Sequence, residues 1–197
     1  MKKRSSQSKG ILLIAFLVFA MVVGALVVRK YQTVTRVAEP PVQSEPAGTA
    51  VVTLFFAAQD GSGLVREGRE VEIDQGASPE ERVAALVAEL VSGPLGSHAP
   101  TLPPNTRLLG VRLEGEVAKV DFGAEFKEGI PGGSSAEVAA VYSVVDTVAA
   151  NVPQVKGVQF LIEGAPVSEL KGHLDLSAPL APDYTLESKE APQAGKN

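Results

Sequence analysis

One uninterrupted apolar run places the strongest constraint on how this chain can be arranged. Residues 11–28 are apolar at every position apart from the small Gly24, and basic residues flank both ends. A helix of these 18 residues spans about 27 Å, close to the roughly 30 Å hydrocarbon core of a bilayer. The run also continues past the small residues at which a signal peptidase would cut. The sequence therefore predicts an uncleaved N-terminal transmembrane helix, with a cleaved signal peptide as the alternative.

The charges divide the chain into two unlike parts. Residues 1–36 carry seven basic and no acidic side chains, whereas the other 161 residues carry 11 basic and 23 acidic side chains, a net charge of −12. A basic tail at residues 1–10 before an apolar run predicts a cytoplasmic N-terminus and a translocated domain. We therefore expect a single-pass protein of the inner (cytoplasmic) membrane whose domain faces the periplasm or extracytoplasmic space. Because an acidic domain repels phosphate backbones, the charges argue against nucleic-acid binding.

Composition also indicates where the folded domain lies. Residues 29–49 contain three prolines among polar residues, which predicts an extended linker. Residues 185–197 are mostly polar, which predicts a disordered tail. The folded domain is then expected at residues 50–184. The absence of cysteine excludes disulfides, thiolate nucleophiles and cysteine-based metal sites within it.

Two capping signals and several short apolar runs predict the elements of this domain. Ser78 and Glu81 form a predicted capping box with a proline between them, and Ser134 and Glu137 form a second one. The first helix has an apolar stripe and ends at Gly93, and the second is expected to end near residue 151. The stripe of the first helix consists of Val83, Leu86, Val87, Leu90 and Val91, and the inward residues of the second are Val138, Val141, Tyr142, Val145 and Val148.

Strands are predicted on both sides of each helix. Two of them, at residues 51–57 and 69–74, precede the first helix, and a hairpin at 106–122 turns at Gly115 and Glu116. A last strand is expected at residues 158–162. The order β, β, α, β, β, α, β predicts an α+β fold with a single small sheet and both helices packed on one face.

An ordered set of short segments resembles the GerMN family, which is named for sporulation and spore germination proteins. The resemblance covers residues 51–183, and no single segment is specific. The segments are VTLFF at 52–56, ELVSGP at 89–94, TRLLGV at 106–111, VAKVDF at 117–122, GGSSAE at 132–137, VQFLIEG at 158–164 and LDLSAPL at 174–180.

This resemblance implies an envelope-attached extracytoplasmic domain without known catalysis. It also implies a fold similar to the ring-building motifs of secretion-system scaffolds. The sporulation member of the family supports assembly of a channel-like complex between two membranes. The present chain differs from that member in having a single copy of the domain and no lipid-modified cysteine.

Two polar clusters are candidate sites, each with a simpler structural interpretation. Residues 132–135 could hold an anion at a helix N-terminus, but Glu137 would repel it and no lysine of a phosphate-binding loop follows. Glu70, Glu72 and Asp74 could bind a metal or act as acids and bases. Their period of two favours the solvated face of a strand.

The remaining polar candidates do not predict chemistry. Ser97 adjoins His98, and His173 is the only other histidine, but no nucleophile elbow is present. Arg107 and Arg112 are expected to face opposite ways on a strand, one of them neutralising an acid such as Asp121. We therefore predict that the chain is not an enzyme, and we assign it no catalytic, cofactor-binding or metal-binding residue.

The leading functional prediction is a scaffold or protein-interaction domain of the cell envelope. Such a domain binds other envelope proteins, or further copies of itself, through helix faces and strand edges. The alternative is a sensor or carrier that binds a small ligand or cell-wall fragment, which requires a polar-lined concave pocket.

Overall fold

The computed structural model of the protein describes residues 48–188. The predicted cytoplasmic tail at 1–10, the transmembrane helix at 11–28 and nearly all of the linker lie outside this range. None of the helices between residues 48 and 188 is long and apolar enough to cross a membrane. Residues 48 and 49, which the sequence placed in the linker, are the first residues of a strand.

The described residues form an α+β fold with two sheets, so the prediction of a single sheet is wrong. Strand β1 (Gly48–Ala57) pairs antiparallel with β2 (Leu64–Ile73) in a two-stranded sheet. The second sheet has the order β3 (Leu108–Glu114), β4 (Val117–Phe122), β5 (Gly157–Ile162) and β6 (Ala165–Pro166). Strands β4 and β5 are parallel, whereas the other neighbours are antiparallel.

Three helices connect these strands, and the first begins as the sequence predicts. Helix α1 (Pro79–Ser92) has the expected capping box, because the Ser78 hydroxyl accepts from the Glu81 amide and the Glu81 carboxylate accepts from the Ser78 amide. It is followed by Gly93 at φ 84°, a conformation that glycine adopts without strain. The short helix α2 (Ala124–Gly129) was not predicted.

The predicted second capping box does not form. Helix α3 (Ser134–Asn151) is preceded by Gly133 at φ 130°, and no side chain caps it. Glu137 is fully buried, and its carboxylate accepts hydrogen bonds from the amides of residues 170, 171 and 173. Since the carboxylate is occupied by three amides of a later loop, it does not reach back to the start of its own helix.

The core lies where α1 and α3 meet both sheets. Helix α1 packs on β3 and β1, and α3 packs on β1 and β5, so the two helices do not share one face of a single sheet. Phe122 stacks on Phe126 with ring centroids 4.4 Å apart, and Phe160 lies 6.1 Å from both. All residues from 143 to 148 are buried, which shows that α3 runs through the interior and has no broad solvent face there.

Polar side chains of α3 close one edge of the small sheet. The Asn151 side-chain oxygen accepts from the Thr53 amide at 2.9 Å, and its nitrogen donates to the Thr53 carbonyl at 2.7 Å. The Thr147 hydroxyl accepts from the Phe55 amide at 3.0 Å. These side chains take the place of a neighbouring strand, so β1 cannot pair with the four-stranded sheet along this stretch.

The C-terminal part of the described chain is ordered further than the sequence predicts. Residues 185–188 were expected in the disordered tail. Instead, Tyr184–Leu186 forms a 3-10 turn, and the Ser188 amide donates to the Leu64 carbonyl at 2.7 Å. Leu64 also forms an isolated parallel β-bridge with Glu187, so residues 187 and 188 lie beside the first residue of β2.

We predict that Asn151→Ala lowers the free energy of unfolding by about 1–3 kcal/mol, because it leaves the Thr53 amide and carbonyl without partners. Urea denaturation followed by circular dichroism measures this loss. The matched control is Asn105→Ala at an exposed position, for which we expect a change within about 0.5 kcal/mol. Equal effects of the two substitutions would show that the contact to β1 contributes nothing.

Candidate interaction surface

The outer edge of β2 presents a row of sheet backbone groups to solvent. Thr53 and Gly68 face each other across the hairpin, and Thr53 directs both backbone groups towards α3. Gly68 must therefore direct its own groups to the other side, away from β1. The same alternation turns the backbone N–H and C=O of Arg66, Glu70 and Glu72 outwards. No backbone hydrogen bond to these four residues from this side occurs within residues 48–188, and all four are exposed.

This edge is acidic towards the C-terminal end of β2. Glu70 and Glu72 lie on the solvated face of β2, as the sequence predicts, whereas Asp74 is exposed immediately after the strand ends at Ile73. Within the described range they make no ion pair, and no group of three or more acidic or histidine side chains is placed to hold a metal ion. Val51 lies opposite Glu70 on β1 and is 76% exposed.

At the N-terminal end of β2, the edge is covered by residues 184–188 of the same chain. Arg66 makes two hydrogen bonds to the Glu187 carboxylate, at 2.6 and 2.9 Å, which raise the pKa of the Arg66 guanidinium. Its guanidinium also lies 5.2 Å from the Phe55 ring centroid and 5.4 Å from that of Tyr184. This stacked arrangement holds residues 184–188 beside the first residues of β2.

Strand β2 is fixed in place by a buried arginine on its inner face. Arg69 is 8% exposed and pairs with Glu67 at 2.5 Å and with Glu89 at 2.7 Å, and it donates to the Gly93 carbonyl at 2.8 Å. The Glu67 carboxylate accepts further bonds from the Leu95 and Gly96 amides. Burial opposes ionisation of Glu67, but these hydrogen bonds outweigh it and hold its pKa below the usual value. The open edge therefore belongs to a strand that is tied firmly to the end of α1.

A separate groove of about 470 Å³ lies between the β1–β2 turn, the loop at residues 100–101, the first turns of α3 and the 3-10 turn. Its lining consists mainly of glycine, alanine, proline and leucine, together with the hydroxyl side chains of Ser62, Thr101, Ser135 and Thr185. None of the described residues that line it is charged. Of residues 132–135, only Ser135 lines this groove. Since no described lining residue is positively charged, the groove provides no support for an anion site at residues 132–135.

The structure does not gather the other candidate residues into one site. His173 pairs with the buried Glu137, with its Nδ1 3.1 Å from the carboxylate. Ser97 is exposed, and within the described range no hydrogen bond joins it or His98 to an acid. Within residues 48–188, Glu137 is the only side chain that bonds to the His173 ring.

One of the two arginines pairs with an acid and the other is exposed, but the paired acid is Glu125 and not Asp121. Arg107 pairs with Glu125 at 2.7 Å. Asp121 accepts a hydrogen bond from the Gly164 amide at 2.9 Å, and Arg112 is exposed. The sequence could not show this, because Glu125 lies on the helix that was not predicted.

A buried carboxylate beneath the C-terminal segment was missed by the sequence analysis. Asp146 on α3 is fully buried, and its Oδ1 accepts from the Asp183 amide at 2.9 Å. Its Oδ2 has no hydrogen-bond partner among the described residues. Burial, together with the nearby charges of Asp183 and Glu187, raises the pKa of Asp146 to about 6, although the Asp183 amide and Arg66 act in the opposite direction.

We predict that Asp146 makes the protein less stable as the pH rises from about 4 to about 7. A carboxyl whose pKa is raised by folding stabilises the native state while it is protonated, and this contribution disappears as the pH passes the folded pKa. At about 1.4 kcal/mol for each pKa unit, the loss is about 2–3 kcal/mol. Urea unfolding of the wild type and of Asp146→Asn across this range measures the difference between them.

Comparing the two proteins isolates this group, because carboxylates with lowered pKa values, such as Glu137 and Glu67, give the opposite pH dependence in both. We expect the wild type to lose stability relative to Asp146→Asn as the pH rises. Parallel pH profiles would contradict the raised pKa.

Comparisons with known proteins agree with this fold. A family model described as "Sporulation and spore germination" (Germane) matches residues 53–168, more than half of the chain. No curated protein matches the sequence. The tandem GerMN domains of the sporulation protein GerM from Bacillus subtilis are 18% identical, with a TM-score of 0.53, over 74% of this chain and 50% of that structure.

Two further solved structures are similar. The first GerMN domain of GerM from Bacillus subtilis is 20% identical, with a TM-score of 0.50, over 68% of this chain and 96% of that domain. A Clostridium perfringens protein assigned as a lipoprotein is 25% identical, with a TM-score of 0.48, over 71% of this chain and 92% of its own. At these identities the GerM structures establish likeness of fold, while the family model establishes membership. The chain therefore belongs to the Germane (GerMN) family of sporulation and spore germination proteins.

Proposed function

We propose that this chain is a non-enzymatic protein-interaction domain of the cell envelope, held at the inner membrane by residues 11–28. Its domain faces the extracytoplasmic space and supports the assembly of an envelope complex, in a process related to sporulation or germination. Membership of the GerMN family supports the setting, and the apolar run and charge asymmetry support the anchoring.

The observation that carries the proposal is the open outer edge of β2. A strand edge with unpaired N–H and C=O groups binds an extended segment of another protein by adding a strand to the sheet. In this domain Asn151 and Thr147 occupy the outer edge of β1 at Thr53 and Phe55, whereas the outer edge of β2 has no backbone partner along residues 66–72 within the described range. The rigid attachment of β2 through Arg69 means that binding requires little ordering of the domain itself.

The groove supports a second candidate function, a carrier or sensor of a small ligand or cell-wall fragment. Its volume is within the range of small-molecule sites. The hydroxyl groups of Thr101 and Ser135 offer contacts to a neutral polar ligand, whereas those of Ser62 and Thr185 already bond to Ser188 and Asp183. Thermal stabilisation of the protein by soluble wall fragments would favour this function. The mainly apolar lining, without an aromatic residue for stacking a sugar, favours the protein-interaction function instead.

We predict that a photocrosslinker at the edge captures a protein partner. Val51 is replaced with p-benzoylphenylalanine in the full chain expressed in its native membranes, because Val51 is exposed and lies one strand away from the open edge. Irradiation is expected to give adducts heavier than the monomer, which electrophoresis and mass spectrometry identify. The matched control is the same replacement of Leu109, an exposed apolar residue of β3.

Adducts at position 51 that are absent at position 109 are the expected result. Recovery of only the bare monomer from both positions would contradict the proposed function. Equal adducts at both positions would place the interaction elsewhere than at the β2 edge.

A further inference from the structure

We propose that the open edge of β2 binds an extended, positively charged segment of a partner protein, which adds to the hairpin as a third strand. The inference rests on the proposed function, and it names the chemistry of the partner. Three features of the edge carry it, namely its backbone groups, its charges and one exposed leucine.

The backbone provides a continuous row of hydrogen-bonding groups. Gly68, Glu70 and Glu72 each direct one N–H and one C=O outwards, and within residues 48–188 nothing bonds to them on that side. Gly68 has no side chain, and even a Cβ added there would have no neighbour within 4 Å. The solvent-facing side of β2 is therefore unobstructed at Gly68, and a strand bonded to the outward groups would lie at the usual spacing of about 4.8 Å.

At the N-terminal end of β2, a segment of the chain itself already bonds to this edge. Ser188 donates to the Leu64 carbonyl, and Glu187 forms a parallel bridge with Leu64. Residues 187 and 188 thus make a short β-type contact at the start of β2, and they leave the part from Gly68 to Glu72 for a partner.

The charges of that part select the partner. Arg66 is paired with Glu187 and Arg69 is buried in ion pairs, so the unpaired charges along the edge are those of Glu70, Glu72 and Asp74. Side chains on neighbouring strands lie about 5 Å apart, and opposite charges there attract while like charges repel. A strand with Lys or Arg at alternate positions is therefore favoured over an acidic one, and the acidic residues discourage indiscriminate pairing.

The opposite face of the added strand meets a different surface. Leu95 is 79% exposed, and its amide donates to the carboxylate of Glu67 on the inner face of β2. An apolar side chain at the positions between the basic ones can cover this leucine. The expected partner segment thus alternates basic and apolar residues over about five to seven positions.

The test measures binding of two labelled peptides to the full chain in an uncharged detergent. The basic peptide has the sequence TKVKVKT and the acidic one TEVEVET, and both carry the same fluorophore for anisotropy. We expect saturable binding of the basic peptide, with the acidic one at least about tenfold weaker, which corresponds to about 1.4 kcal/mol.

Three variants separate strand addition from simple charge attraction. Gly68→Pro removes the outward N–H and should weaken binding about tenfold or more. Glu70→Gln with Glu72→Gln should weaken it to a similar extent. Glu116→Gln with Glu128→Gln removes the same charge from exposed positions elsewhere and should leave the affinity unchanged.

Several results would overturn the proposal. Binding of the basic peptide that is unaffected by Gly68→Pro, in a variant with a native circular dichroism spectrum, would show that no strand is added. If that variant does not fold, equal effects of the two glutamine pairs would overturn it, because the attraction would then be unspecific. Self-association of the full chain that the Glu70 and Glu72 substitutions abolish would make a second copy the occupant. Adducts from position 51 without peptide binding would refute the basic partner alone and leave the proposed function in place.

Discussion

The contact between the side chains of α3 and the outer edge of β1 determines the layout of the domain. Asn151 bonds to both backbone groups of Thr53, and Thr147 bonds to the Phe55 amide. A hairpin has two edges, and this contact occupies the middle of one of them with side chains. The hairpin therefore stands as a sheet of its own, and its second edge, along β2, remains accessible from solvent.

The same helix also sets how far that second edge is covered. Asp146 holds the Asp183 amide, and Arg66 pairs with Glu187, so the segment that ends in Ser188 lies against the start of β2. In the first turn of the same helix, the Glu137 carboxylate accepts hydrogen bonds from three amides of the loop at residues 170–173. Helix α3 thus connects the hairpin, the four-stranded sheet and the C-terminal segment, which explains why it is buried along most of its length.

Local signals in the sequence predicted the elements well, but not the way they meet. The box at Ser78 and Glu81 forms because, among the described residues, the Glu81 carboxylate bonds only to Ser78. The identical spacing at Ser134 and Glu137 fails because a distant loop offers the carboxylate three amides. Spacing along the chain contains no information about such long-range competition.

The two-sheet arrangement was missed for the same physical reason. Strands β1 and β2 were predicted from their β-branched and alternating residues. However, the outer edge of β1 bonds to Asn151, about a hundred residues later, and not to another strand. Glu70 and Glu72 were correctly predicted to lie on a solvated strand face, and Asp74 is exposed just after that strand. The openness of the backbone beside these residues follows only from the register of the hairpin and from the position of α3.

Amide hydrogen exchange of the free protein, resolved by NMR, tests most directly whether the two edges of the hairpin differ. The amides of Thr53 and Phe55 should exchange slowly, because α3 side chains accept from them, and that of Arg69 should be slow because it faces β1. The amides of Gly68, Glu70 and Glu72 should exchange at rates close to those of an unstructured chain. Slow exchange at Gly68 and Glu70, or exchange at Thr53 and Phe55 as fast as at Gly68, would contradict the closed and open edges on which this account depends.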